Sequence, residues 1–559
     1  MVDGEELTST AFRRIAGFVT QEDVFEGCLT VEETLRFKAA LLLSTMKAKD
    51  RLERVEEVIS ALQLHSCAST HIGDDSNPYM KGISGGEKRR LAIAIEILDP
   101  NKSILIADEP TSGLDAASAQ AVANLLRSFA DRGMIVLTTL HQPRNSIMHK
   151  FDSLMIMASG RAIYYGKVKE YTQYLTDTLK LEIQLHESPY DLLLDVLNPA
   201  IADTIASTSR IKELSTNQDE SVAEILCNIL YNRNGWSDNS YLPVSKFLSA
   251  TADDKTSDIS VSHWLYVVGV LFHRTAVIKL RDPICLMTQI ASAVLMGIIY
   301  GVLYYKVYDK STVTFSILDA QMAIAMTVLM AVWLPYDVTL TFPKERRIFL
   351  RERKAGLYTT SSFFVARITA DMPAHIISAI IIAVIVWAMA ELNISPGAFI
   401  LIVCLGILIG ASVMQLIGAV SRTFEEANIY MMVVLMMSMM LGTGFVRETP
   451  YFLKWARSIS IMGKTSPYIF TPHICAHNLF YNAGITSDLA MYREFRDVPA
   501  KYGSAQGIFS EYGVLIRSED EMWKGVLVLF YIWLICRFLT YVAVKFCFTG
   551  RTFAEDLRD

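Results

Sequence analysis

Three short runs carry residue types suited to phosphate chemistry. In Ile83–Arg90, ISGGEKRR, a Ser-Gly-Gly turn opens a helix, so unshielded backbone N–H groups and the positive helix end are offered to an anion. In Leu105–Asp115, LIADEPTSGLD, an apolar strand ends in Asp108 and Glu109. The first carboxylate of such a pair can hold Mg²⁺ and the second can orient or deprotonate an attacking water. In Thr139–Pro143, TLHQP, His141 closes a second strand, read as Ile135 to Leu140, and can contact a terminal phosphate. Alone, an Asp-Glu pair is an ordinary solvated turn and a single histidine an ordinary surface polar group. Their joint occurrence, in this order, points to function.

The elements that must position these groups are legible in the apolar pattern. Runs such as Ser103–Ala107 and Met134–Leu137 alternate with amphipathic helical stretches, so residues 1–200 are expected to form an α/β unit. Residues 201–258, with STNQDES and SATADDKTSDIS, are polar and are read as a linker; residues 259–559 are read as a membrane domain. Of the 559 residues 52% are apolar and only 20% are charged, too oily for an ordinary soluble protein of this size. The net charge of −6, with no long basic run, argues against a nucleic-acid partner. The eight cysteines show neither C-x-x-C spacing nor neighbouring histidine clusters, which argues against zinc and against a disulfide framework. The N-terminus has acidic residues and no apolar core, so it is not read as a cleavable signal.

Six apolar stretches approach the ~20 residues needed to cross a bilayer. They lie at roughly 284–305, 317–340, 368–391, 397–420, 427–446 and 524–547. Ser262–Pro283 alternates apolar and basic residues and is read as an interfacial helix. Between the second and third spans, PKERRIFLRERKAGLY gathers Lys344, Arg346, Arg347, Arg351, Arg353 and Lys354, which places that loop, the α/β unit and both termini in the cytosol. The connection 447–523 then falls outside, as does the sequon Asn393-Ile394-Ser395, which Pro396 follows at the membrane edge.

Taken together, GFVTQED, ISGGEKRR, LIADEPTSGLD and TLHQP resemble the nucleotide-binding domain of ABC transporters, in family order and at family-like spacing. The resemblance supplies roles: Gln21 as the Q-loop glutamine, Ser84, Gly85, Gly86 and Glu87 as the signature, Asp108 and Glu109 as the Walker B pair, Asp115 as the D-loop and His141 as the switch histidine. It implies ATP and Mg²⁺ as cofactors, with Gln21 and Asp108 on the metal and Glu109 and His141 in catalysis. The nucleotide domain precedes the membrane domain, and Arg281–Pro283 (RDP), ERRIFLRERKAGLY and SPYDLLLD at 188–195 look like the G subfamily, the White-type half-transporters. Ser188 departs from it, where Asn commonly precedes the proline. The expected fold is therefore an α/β nucleotide domain with a helical insert, truncated at its N-terminus, followed by an all-α domain of six spans.

A phosphate-cradling loop should read GxxxxGK[ST], because glycine N–H groups, a lysine and a hydroxyl surround the β and γ phosphates. None precedes Gln21, and the only GKT, Gly463-Lys464-Thr465, has Ser458 at the first glycine position and falls on the outer loop. In the family, each ATP is sandwiched between the phosphate loop of one domain and the signature of the other. Two accounts follow: an N-terminally truncated gene model or isoform, or a heterodimer in which this chain lends its signature to a partner's intact site. A regulatory membrane subunit is a third role. The resemblance further implies that the second and fifth spans of two subunits line a central path, which nominates Met330 and Trp333, and Met432, Met436 and Met439, as contacts for a hydrophobic small molecule, lipid or sterol. His375, two residues after Pro373 in the third span, is an ionisable candidate for selectivity. A homodimer or heterodimer in the plasma membrane is expected.

Overall fold

The computed structural model describes residues 12, 15–21, 24–73, 81–141, 143–158, 161–178, 189–190, 260–307, 323–324, 326–392, 395–421, 423–441 and 519–548. Residues 201–258, read as a linker, Asn393 of the sequon, residues 447–518 of the stretch read as an outer connection, and the GKT at 463–465 lie outside them. Contacts divide the chain into two units, Met1–Asp258 and Ile259–Asp559.

In the first unit the strands β1 (Ala16–Val19), β2 (Ile104–Ala107) and β3 (Ile135–Thr138) form a parallel sheet in that order, with Val19, Ala107 and Thr138 level at their carboxyl ends. Between β1 and β2 lie α1 (Val31–Leu42), α2 (Ala48–Ala61) and α3 (Gly85–Ile97), the helical insert; α4 (Ala116–Asp131) joins β2 to β3. Each start has a local cause. Thr30 and Ser84 form capping boxes with Glu33 and Glu87, and the Asp115 carboxylate accepts from the N–H groups of Ala117 and Ser118. Leu35, Ile59, Leu62, Leu64, Leu91, Ile93, Leu105 and Leu126 are buried in one core beneath the sheet. The other face leaves Phe18, Ile135 and Leu137 more than half exposed. A short helix α5 (Asn145–Met148) leads to the hairpin of β4 (Ser153–Ala158) and β5 (Arg161–Lys167), then to α6 (Val168–Gln173). There Tyr171 stacks on Tyr190 with ring centroids 5.1 Å apart, which seats the Pro189-Tyr190 part of SPYDLLLD. β3 ends at Thr138, two residues short of the expected Leu140, so His141 stands beyond the strand rather than closing it.

The second unit is helical: α7 (Val261–Arg281), α8 (Pro283–Leu303), α9 (Met326–Tyr336), α10 (Asp337–Lys354), α11 (Thr360–Ala390), α12 (Pro396–Val420), α13 (Phe424–Leu441) and α14 (Glu519–Ala543). Asp282 ends α7 and Pro283 starts α8, where its missing N–H costs nothing. Among the described residues, five helices are long and apolar enough to cross a membrane, within Val261–Arg281, Leu286–Leu303, Thr360–Ala390, Pro396–Val420 and Leu529–Phe546. The six expected spans therefore do not map one to one. The segment read as interfacial reaches the length and composition of a span, α9 is a shorter apolar helix, and α13 carries Glu425 and Glu426 in its first turn.

Small residues bring the helices close. A Cβ on Gly410 of α12 would meet the Val332 backbone carbonyl of α9 at 2.3 Å, so that site requires glycine, whereas one on Gly301 of α8 would meet the Met389 side chain of α11, with Sδ at 2.6 Å, which would have to shift. Polar side chains then tie the bundle from inside. Arg274 of α7 donates to both carboxylate oxygens of Glu352 in α10 at 2.8 and 3.0 Å, and the Tyr358 hydroxyl donates to the same carboxylate at 2.6 Å. Deeper, Asp371 of α11 is fully buried and pairs with Lys279 and with Arg367, which also reaches Glu345 at 2.8 Å. Gln415 of α12 donates to Asp371 at 3.0 Å and accepts from Arg537 of α14.

Replacing Arg274 by Met leaves Glu352 a buried charge without its cation and is expected to destabilise the folded chain by ~3–5 kcal/mol, whereas Tyr358→Phe costs ~1–3 kcal/mol. Thermal unfolding in detergent, followed by size-exclusion chromatography, checks the ranking. A melting point for Arg274→Met at or above that of Tyr358→Phe contradicts it.

Candidate nucleotide site

The carboxyl ends of parallel strands gather groups that are distant in sequence, and here they collect Gln21, Asp108, Glu109 and Thr139. Gln21 Nε2 donates to Glu109 Oε2 at 3.0 Å. The Thr139 hydroxyl donates to Asp108 Oδ1 at 2.6 Å and accepts from the Glu109 N–H at 2.9 Å, so one side chain holds both acidic residues. Glu109 sits at φ +43°, a left-handed backbone that is costly outside glycine and persists where its surroundings over-determine it.

The donor set suits a hard cation. Gln21 uses its amide nitrogen on Glu109, and Asp108 has one oxygen engaged by Thr139, which leaves a carbonyl oxygen and a carboxylate oxygen for Mg²⁺ alongside phosphate oxygens. His141 lies exposed, three residues past β3. Asp115 is engaged as the cap of α4, and the bonds from Ser118, then Ala117, hold its carboxyl below the usual range.

The signature turn is organised by its own cap. Glu87 Oε2 accepts from the Ser84 N–H at 2.8 Å and the Ser84 hydroxyl at 2.7 Å. Partial burial pushes the Glu87 carboxyl up, but these bonds and the nearby Arg90 outweigh it and hold the pKa below the ordinary value. With a depressed folded-state pKa, the contribution of this cap is present above the ordinary carboxylate range and is lost as pH falls through the folded value. The two glycines differ. A Cβ on Gly86 would meet Ser118 Oγ at 2.8 Å and its Cβ at 2.9 Å, whereas one on Gly85 would meet only Leu114 Cδ2 at 3.6 Å.

Of the membrane-unit candidates, Trp333 packs between Met414 of α12 and Met431 of α13, with its indole N–H buried and without a partner; Met330 packs on Leu329. Met432 is half-exposed. Met436 and Met439 lie on α13, but their side chains are outside the described residues. His375 is buried in the bundle, where its Nδ1 is 2.8 Å from Gln289 Nε2 of α8. That contact joins it to the packing of α8 on α11 rather than to the cluster around Trp333. Two residues escaped the sequence reading: Thr139, visible in TLHQP but unassigned, and Arg89, whose type in a basic run gave no sign of burial.

Gly86→Ala is expected to destabilise the α/β unit by ~1–3 kcal/mol through the clash with Ser118, and Gly85→Ala to leave stability within ~0.5 kcal/mol. Chemical denaturation of the two variants decides it. Equal losses would mean that the two glycines serve the same structural need.

Residues 1–112 match the ABC transporter family and residues 266–463 the ABC-2 type transporter family. The chain is 30% identical to ABC transporter G family member 14 of Arabidopsis thaliana over 82% of this chain and 70% of that protein, and 31% identical to member 26 over 81% and 66%. It is 28% identical to the broad substrate specificity ATP-binding cassette transporter ABCG2 of Mus musculus over 80% and 70%. With an α/β nucleotide-binding unit leading into a helical membrane unit in one polypeptide, the chain belongs to the G family of ABC transporters, the White-type half-transporters.

Proposed function

We infer that the chain is one half of a dimeric ATP-driven exporter whose cargo is a lipid, sterol or hydrophobic small molecule. The observation that carries the reading is the shared edge at which Gln21 holds Glu109 while Thr139 holds Asp108, in a chain that continues into a membrane domain. A bound magnesium nucleotide would supply the phosphoryl group to be transferred to water. Asp108 and Gln21 would hold the metal through oxygen, and Glu109, fixed by the Gln21 amide, would orient the water and accept its proton. Ser84–Glu87 would present N–H groups to the nucleotide carried by the other subunit, with Asp115 and His141 at the same interface. Residues 1–200 would serve as the nucleotide domain and 201–258 as the link to the membrane domain. Trp333, Met330 and Met432 are the described residues we propose for hydrophobic cargo, an adaptable chemistry with which the broad specificity named for the mouse relative agrees. We infer a plasma-membrane setting with the nucleotide domain in the cytosol; the cytosolic side is argued from the basic residues that the sequence reading put in a loop and that lie on helix α10.

A second reading, in which the chain need not hydrolyse ATP itself, is supported by the signature turn, where Ser84 and Glu87 cap the helix start and Gly85 is left open. In it the chain lends Ser84–Glu87 to a partner's complete site. Both readings share the cargo class and the dimer.

In a full-length or partner-complemented complex with a complete phosphate loop, Glu109→Gln is expected to slow ATP hydrolysis by about 10²–10⁴-fold while nucleotide binding stays within roughly threefold. Rates within twofold of the parent remove Glu109 from catalysis. For the second reading, co-expression with a G-family half that has its own phosphate loop is expected to yield hydrolysis that Ser84→Arg abolishes. Activity indifferent to Ser84→Arg rejects donation of the signature.

A further inference from the structure

The mechanism above makes no use of Arg89, the most heavily engaged side chain at the site. It lies five residues after Ser84 on α3 and is 3% exposed. Nη1 donates to the carbonyl of Thr20 at 2.6 Å and that of Gln21 at 3.3 Å; Nη2 donates to those of Asp108 and Glu109, both at 2.8 Å; Nε donates to that of Pro110 at 3.2 Å. The five acceptors are the backbone just beyond two strand ends, those that deliver Gln21 and the Asp108–Glu109 pair. A planar guanidinium can serve carbonyls on two sides at once, whereas an ammonium is a point donor on a flexible stem.

The same helix is fixed at both ends of this grip. Its first turn is closed by the Ser84–Glu87 capping box, and Glu96, two turns on, accepts from the Phe18 N–H of β1 at 3.1 Å. The signature turn and the strand ends therefore belong to one stiff body, with Arg89 as the member that reaches both strands.

We propose that Arg89 is a positioning residue that couples the signature turn to Gln21 and the Asp108–Glu109 pair, so that a displacement at one is transmitted to the other. If Ser84–Glu87 face the nucleotide of the opposite subunit, the two ends of this link belong to two different nucleotide sites, and Arg89 carries the state of one to the other within a single domain. The assignment of the ends to two sites rests on the transporter reading proposed above. The clamp and its coupling do not.

Hydrogen–deuterium exchange on the full chain in detergent, without nucleotide, separates the two. Arg89→Lys is expected to speed exchange of the peptides spanning 16–21 and 106–110 by about tenfold, and Ser84→Ala, which frays only the start of α3, to speed both by about threefold through the intact arginine. In the Arg89→Lys background the Ser84→Ala increment is expected to vanish, a non-additivity that general loosening does not produce. Arg54→Lys is the control. Arg54 makes the same kind of bond at the far end of α3, to the carbonyls of Ile97 and Leu98 at 2.8 and 3.1 Å, and its loss is expected to leave both peptides within twofold. Should Arg89→Lys not fold, the comparison of Ser84→Ala with Arg54→Lys in the native background still decides. The proposal is overturned if Ser84→Ala leaves the strand-end peptides unchanged, if Arg54→Lys loosens them equally, or if the Ser84 increment survives Arg89→Lys. Loss of the exchange coupling with Glu109→Gln still slowing hydrolysis would sink the clamp alone; a normal coupling with Glu109 dispensable would sink the transporter chemistry alone.

Discussion

Five backbone carbonyls converge on the guanidinium of Arg89, and the arrangement of the nucleotide edge follows from that convergence. A charged group away from water costs several kcal/mol unless its donors are satisfied, and carbonyls beyond the end of a strand need donors that the ladder no longer supplies. Each shortage meets the other. The strand ends are thereby pinned to α3, and the side chains they carry fall within hydrogen-bonding reach: Gln21 on Glu109, Thr139 on Asp108 and on the Glu109 N–H. With its N–H and its carboxylate both held, Glu109 can keep the left-handed backbone that aims it.

The membrane unit obeys the same constraint in a harsher solvent. Among its described buried ions Arg274 pairs with Glu352 and Asp371 with Lys279 and Arg367, while Arg537 meets Asp371 only through the amide of Gln415. These contacts join α7, α10, α11, α12 and α14, helices whose apolar surfaces alone would leave rotation and depth loosely specified. Gly301 and Gly410 set how closely the neighbouring helices approach, and the polar pairs then fix which faces meet. A carboxylate such as Asp371, fully buried among three helices, makes a slipped packing expensive because slippage would strand it.

Glycines that look alike in the signature have separate physical roles. Gly86 is bare because Ser118 of α4 occupies the place of its side chain, so it serves packing. Gly85 meets no such neighbour, and its open side leaves the first N–H groups of α3 accessible to an anion. The Ser84–Glu87 cap satisfies part of the same helix end and holds the turn in shape without covering it.

The runs ISGGEKRR, LIADEPTSGLD and TLHQP were legible from the sequence because their chemistry is contiguous, and the oily second half because hydrophobicity over twenty residues is a local property. The caps at Thr30, Ser84 and Asp115 were likewise written within three residues of each helix start. Arg89 was not legible as a clamp, since its partners lie from 19 to 69 residues away and nothing in a basic run says which cation is buried. Thr139 meets Asp108 across 31 residues, Arg274 meets Glu352 across 78 and Arg537 meets Gln415 across 122. The character of α7 also escaped the sequence, because its basic residues suggested an interfacial segment while its length and apolar content suit a span. The sequence determined which groups could do chemistry and which stretches leave water. Tertiary structure alone decided which buried charges face each other, because a desolvated charge is stabilised only by the particular neighbour that folding brings to it.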